Sequence, residues 1–292
     1  VLLLLAALIV LMATGIGSAV AKPVTIFVAG DIAKGLATSG EEQTARLIER
    51  RSGLVLTAGD NAYDSGSLAE FQAHYDPTWG RFKQRTRPTP GNHEYWTPGA
   101  QGYFDYFGRR AGPDRRGYYS LKRRGWRIYM LDSEDCVSKA GCGPGTPQHT
   151  WLKRQLNKHK ARCSMAVFHT PLYSSGIHGN EPRVRPLVKL LYRSGAELIV
   201  NGHSHNYERL APARPNGTVS RRTGVQQFIA GTGGAPLRSM GPTKAAHSRV
   251  FSDDAWGVLR LQLRRDSYAW KFLPVAGETF TDRGKRACHG RP

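Results

Sequence analysis

Short apolar runs rich in β-branched residues recur along the chain, at 24–29, 54–57, 126–131, 165–168, 198–200 and 225–230. Most are continuous rather than alternating and are bounded by Gly or Pro, which is the pattern of strands buried on both faces. Between them lie segments whose apolar positions follow a helical period: 41–51, 150–160 with Trp151, Leu152 and Leu156 in step, and 186–193 with Leu187, Leu190 and Leu191 on one face. Residues 255–263 and 268–274 read as a hairpin of longer alternating strands. Strands alternating with helices, then strands alone, predict an α/β core with a sheet-rich second half. The stretch 59–125 shows no clear strand and is dense in Gly, Pro and aromatic residues. Ordered loops of such length are usually functional.

The first 21 residues carry no charge and end in Ala19-Val20-Ala21, an A-x-A cleavage pattern before Lys22. They predict a signal peptide over 1–21 whose true start, lacking Met and a basic leader here, is expected upstream, followed by one catalytic domain over 22–292. An uncleaved anchor is the rival reading and the one route to a membrane. Either way the working part is expected outside the cytoplasm, secreted or in the cell envelope. Four cysteines, Cys136, Cys142, Cys163 and Cys288, suit an oxidising compartment and allow three pairings. Cys136 and Cys142 flank a short Gly-containing segment and are expected to pair locally, leaving Cys163 to tie the tail at Cys288 to the body.

Composition narrows the class. With 292 residues, 40% hydrophobic and 22% charged, the chain is neither disordered, collagen-like nor a disulfide-dense miniprotein. Lys and Arg number 42 against 22 acidic residues, a net charge of +20. The cations are scattered in short pairs such as Arg109-Arg110 and Arg221-Arg222 rather than massed in an arm, and no nucleic-acid motif accompanies them. A general pull on phosphorylated small molecules follows; specific nucleic-acid binding does not.

The polar residues after the apolar runs carry the chemistry. The run 24–29 ends in Gly30-Asp31, 54–57 leads to Gly59-Asp60, 165–168 ends in His169, and 198–200 ends in Asn201-Gly202-His203-Ser204-His205, with Gly91-Asn92-His93-Glu94 between. Ligands of α/β sheets bind beyond the carboxyl ends of strands. Each piece alone fits a turn, a helix cap or an interior histidine; five together imply one shared site. Carboxylate, imidazole and amide oxygen suit Zn, Fe or Mn, and paired ions bridged by a carboxylate catalyse displacement at phosphorus.

The set Gly30-Asp31-Ile32-Ala33, Gly59-Asp60-Asn61-Ala62-Tyr63, Gly91-Asn92-His93-Glu94, His169-Thr170-Pro171-Leu172-Tyr173 and Gly202-His203-Ser204-His205 resembles the calcineurin-like metallophosphoesterases, and within them the purple acid phosphatases. The resemblance runs from about Val24 to Gly234. It implies an α/β fold, an αββα sandwich of two mixed β-sheets flanked by helices, in a short single-domain form. It further implies two metal ions: Fe(III) on Asp31, Tyr63 and His205, and Fe(II), Zn or Mn on Asn92, His169 and His203, with Asp60 bridging. His93 and His178 would act on the phosphoryl group or the leaving alkoxide, and Glu94 would orient a neighbour. Two departures stand out: Ala33 replaces a frequent Gly, and Gly179 follows His178 where plant enzymes have a second His. The implied activity is hydrolysis of phosphate monoesters by in-line attack of a metal-bound hydroxide. A phosphodiesterase acting on cyclic nucleotides or phospholipid headgroups is the alternative, and a non-catalytic anion binder a third reading.

Overall fold

The computed structural model describes residues 22–139 and 141–290, so the signal-peptide expectation for 1–21 lies outside the described residues. Among the described residues the strands are, in chain order, β1 (Val24–Ala29), β2 (Leu54–Ala58), β3 (Thr86–Thr89), β4 (Tyr119–Arg123), β5 (Trp126–Met130), β6 (Cys163–Val167), β7 (Leu198–Asn201), β8 (Tyr207–Leu210), β9 (Gln226–Ala230), β10 (Ser248–Ser252), β11 (Gly257–Leu263), β12 (Ser267–Pro274) and β13 (Arg283–Ala287). The helices are α1 (Glu41–Glu49), α2 (Leu68–Glu70), α3 (Gln101–Phe107), α4 (Glu134–Val137), α5 (Pro147–Lys158) and α6 (Arg185–Arg193). None is long and apolar enough to cross a membrane.

Two mixed sheets form, one ordered β13-β12-β11-β1-β2-β3 and the other β10-β8-β9-β7-β6-β5-β4. In the first, β1, β2 and β3 run parallel; in the second, β5, β6, β7 and β9 do. Strand side chains alternate between faces, and here both faces are covered. Ile26 and Val28 of β1 point between the sheets, against Leu259 and Leu261 of the same sheet and Met165, Val167 and Val200 of the other. Phe27 and Val55 point outward onto Ala45 and Ile48 of α1, with Phe71, Tyr75 and Trp79 from the long connection. Ala166 and Ile199 point outward onto Leu152 and Leu156 of α5 and Leu187 and Leu191 of α6. The result is the αββα sandwich. It explains why these strands read as unbroken apolar runs, since burial on both sides removes the alternation.

The stretch 59–125, expected to lack strands, holds β3 and β4. Each is the last strand of its sheet. An edge strand tolerates Pro88 in β3 and needs the charges that Lys122 and Arg123 bring to β4. The opposite edge, β13, reads Arg283-Gly284-Lys285-Arg286-Ala287, a composition that hides a strand for the same reason.

Asp282, just before β13, ties the sheets together at that end. Its carboxylate accepts from Tyr207 Oη at 2.8 Å and Arg209 Nε at 2.7 Å in the second sheet, and from Trp270 Nε1 at 2.9 Å in the first. Cys163 at the head of β6 is bonded to Cys288 beyond β13, and Cys136 to Cys142 within one loop. The two bridges close loops of very different length, with sequence separations of 125 and 6. Loop-closure entropy then predicts a loss of about 5 kcal/mol for replacing Cys163 and Cys288 by Ser, against about 2 kcal/mol for Cys136 and Cys142. Guanidinium unfolding of the two double variants measures the difference.

Candidate metal centre

Beyond the ends of β1 and β2 the two backbones stay hydrogen-bonded. Asp31 N donates to Gly59 O at 3.1 Å, Ile32 N to Asp60 O at 2.9 Å and Ala33 N to Asn61 O at 3.0 Å. Asp31 and Asp60 therefore leave adjacent parallel strands side by side. Both lie in the left-handed backbone region, at φ 58° and 47°. Residues held there against their preference cluster at functional sites, where the surroundings fix them.

One group of donor atoms gathers around Tyr63. Tyr63 Oη lies 3.1 Å from Asp31 Oδ1, 3.1 Å from Asp60 Oδ2 and 3.2 Å from His205 Nε2, and that nitrogen is 3.3 Å from Asp31 Oδ1. A second group gathers around Asn92. Asn92 Oδ1 is 3.0 Å from both His169 Nε2 and His203 Nδ1, and the two nitrogens are 3.2 Å apart. Asp60 Oδ2 reaches this group too, 3.3 Å from His169 Nε2. All seven expected ligands thus fall into two sets that share one carboxylate oxygen.

These spacings match a metal site. Metal bonds of about 2.1 Å place neighbouring donors about 3.0 Å apart at right angles and about 3.4 Å apart in a tetrahedron. His169 Nδ1 sits 2.8 Å from Ala58 O and His205 Nδ1 2.8 Å from Pro236 O. A carbonyl only accepts, so each Nδ1 donates and turns Nε2 toward the centre, the usual support of a metal-ligating imidazole. Carboxylate, phenol, amide oxygen and imidazole together suit Fe, Zn or Mn. The residues present fit two such ions.

The electrostatics agree. Burial pushes Asp31 up to about 7 and Tyr63 well above an ordinary phenol, with the neighbouring carboxylates adding to the rise at Tyr63. Burial opposes charge on His169, yet the Asp60 carboxylate pulls it up to about 10. Burial, with the Arg238 charge adding to it, carries His205 down to about 4 against the bond to Pro236 O. A cation bound here competes with protons for the same atoms.

Glu94 is fully buried and supplies no donor atom to either group. Its carboxylate accepts from the backbone N–H of Asp60 at 3.0 Å, Asn61 at 2.7 Å, Ala62 at 3.3 Å and Gly91 at 2.7 Å. It pins the Asp60 turn to the Asn92 turn. Two glycines stand where no side chain fits: a Cβ on Gly91 would lie 2.2 Å from Asp60 Oδ1, and one on Gly202 2.6 Å from Asp31 Oδ2.

His93 and His178 stand beside the donors. His93 Nε2 is 3.9 Å from Asp60 Oδ2, and its own backbone N–H donates to Asp60 Oδ1 at 3.0 Å. The His178 ring lies 4.6 Å from that of His203, and its Nε2 accepts from Arg238 Nη1 at 3.0 Å. A cleft of about 290 Å³ opens beside them, lined by Tyr63, His93 and His205 together with Lys34, Trp96 and Arg238. Sequence reading missed these last three. Arg238 is one of many scattered arginines, and Trp96 has no spacing that marks it.

The Glu94 contacts generate a prediction. Glu94→Gln turns one acceptor into a donor facing buried N–H groups, a loss of about 2–4 kcal/mol. Unfolding curves should show that loss, and the metal content of the purified variant should fall with it.

Comparison with known proteins follows the same lines. The family profile of calcineurin-like phosphoesterases matches residues 18–207. Purple acid phosphatase 18 of Arabidopsis thaliana is 29% identical, over 85% of this chain and 58% of its own length. A nucleotide pyrophosphatase/phosphodiesterase of Hordeum vulgare is 28% identical, over 75% of this chain and 67% of its own. A purple acid phosphatase from yellow lupin (Lupinus luteus) seeds shares the fold with a TM-score of 0.76 at 18% identity, covering 90% of this chain and 53% of that one. The chain thus spans somewhat more than half the length of the Arabidopsis and lupin proteins. Matched by the profile over well more than half its length, it belongs to the calcineurin-like phosphoesterase family and, within it, is purple acid phosphatase-like.

Proposed function

We propose that this chain is a phosphomonoesterase with a dinuclear centre, one ion on Asp31, Tyr63 and His205 and the other on Asn92, His169 and His203, with Asp60 between them. The observation that carries the reading is that Asp60 Oδ2 lies 3.1 Å from Tyr63 Oη of one group and 3.3 Å from His169 Nε2 of the other. Two ions so placed polarise the phosphoryl oxygens and furnish the water nucleophile. Tyr63, as phenolate, is a hard anionic donor suited to Fe(III), and the amide and imidazole donors opposite accept Fe(II), Zn or Mn.

The chain's own groups do the rest. His93 stands at the mouth of the cleft, within reach of a phosphate that touches both groups, and is placed to hand a proton to the leaving oxygen. His178 has its Nε2 taken by Arg238, so at this point the pair presents a guanidinium to the phosphate as well as a ring. The two disulfides fit work outside the cytoplasm, as does the apolar segment 1–21. The phosphodiesterase reading draws support from the name of the Hordeum relative. The complete ligand set favours catalysis over bare anion binding.

The test is hydrolysis of 4-nitrophenyl phosphate beside bis(4-nitrophenyl) phosphate by metal-replete protein across pH. A dominant monoester rate is expected, falling about a hundredfold or more in Asp60→Asn and on exhaustive chelation. Tyr63→Phe should abolish any visible phenolate-to-iron absorption. A dominant diester rate would overturn the monoester assignment.

A further inference from the structure

Three rings step outward from the metal donors. Tyr63 and His93 have centroids 4.4 Å apart, and His93 and Trp96 4.0 Å apart. The row starts at a ligand group and ends at Trp96, which is 61% exposed. Single exposed apolar side chains are ordinary. This one lines the cleft at the candidate centre, and the cleft's about 290 Å³ is near the lower end of what encloses a small organic ligand.

The same cleft holds a cation with nothing to neutralise it. Lys34 is ion-paired with Asp64. Arg238 has no carboxylate partner among the described residues; its side chain meets only the neutral acceptor Nε2 of His178, at 3.0 Å. Its backbone N–H donates to His205 O at 2.9 Å, which anchors it to a ligand segment. A planar guanidinium left free beside a phosphate site is a phosphate grip. An exposed indole lining the same cleft is a platform for a second planar ring.

We propose that this cleft selects phosphate esters whose alcohol portion carries a planar aromatic ring, of the class of nucleoside 5′-monophosphates, with Trp96 stacking on the ring and Arg238 holding a phosphoryl oxygen. The proposal rests on the phosphatase reading for its reaction and adds the identity of the leaving group. Neither residue is a metal ligand: Trp96 sets specificity and Arg238 binds phosphate. Arg238 acts on every phosphate ester alike; Trp96 acts only on those that bring a ring.

Adenosine 5′-monophosphate and ribose 5-phosphate test this, because the two offer the same ester and differ in the base. Base stacking on an aromatic side chain is worth about 1–3 kcal/mol, so kcat/KM should favour the nucleotide by about tenfold or more, chiefly through KM. Trp96→Ala should bring that ratio toward one and Trp96→Phe should keep part of it. Arg238→Ala should lower kcat/KM for both substrates and keep the ratio. Calorimetric titration with adenosine, which has no phosphate, gives a readout independent of turnover: wild type should bind it and Trp96→Ala should not. A wild-type ratio near one, or a ratio unchanged in Trp96→Ala, overturns the subsite while leaving the phosphatase reading standing. If no phosphate ester is turned over, the phosphatase reading falls. Adenosine bound by wild type and lost in Trp96→Ala then upholds the stacking site, and adenosine bound by neither or by both sinks it.

Discussion

Three carboxylates, Asp31, Asp60 and Glu94, are buried together at one end of the sandwich, and the remainder of that end is arranged around them. Buried charge is tolerated only when paired or well hydrogen-bonded. Among the described residues no Lys or Arg pairs with any of the three. Asp31 has His205 at 3.3 Å and Asp60 has His169 at 3.3 Å, while Glu94 has four backbone amides. The strain shows in opposite shifts. Burial and the Asp60 charge push Glu94 up to about 8, burial pushes Asp31 up to about 7, and Asp60, against its own burial, is held well below the ordinary range by His169. Of the three, the Asp60 carboxylate that both donor groups share is the one that most readily carries charge, and it is where two cations would gain most from it.

The fold supplies that geometry through strand direction. β1 and β2 are parallel neighbours in one sheet, β6 and β7 in the other, and all four deliver their following residues to the same rim. A hairpin could not do this, because antiparallel neighbours end at opposite rims. The two sheets then meet through close backbone approach, which is why glycine precedes or follows so many of the ligands. Gly59, at φ 78°, would place a Cβ 2.6 Å from His169, a residue of the opposite sheet.

Much of this was legible in the sequence. Strands buried on both faces announce themselves as unbroken apolar runs, and polar residues at their carboxyl ends stand out against them. All seven expected donors come together in the two groups described above. What the sequence concealed has a common cause. β3, β4 and β13 are edge strands, and edges carry the prolines and charges that break a strand pattern. Trp96 and Arg238 lie on loops, where position is set by neighbouring backbone rather than by periodicity. Arg238 is tied at its backbone to the His205 carbonyl across 33 residues of chain, and nothing local in the sequence marks that contact.

The contrast between rim and mouth separates two kinds of information. The donor groups sit on the segments that follow strand ends, are buried except for the half-buried Asn92 and His203, and lock one another through distances near 3 Å, so a change in any one disturbs the others. Trp96 and Arg238 are exposed, and their side chains meet the centre through His93 and His178. Their replacement leaves the buried carboxylates where they are. Under the proposed phosphatase reading, a scaffold built in this way would fix the reaction at its core and leave the leaving group to be chosen at its surface.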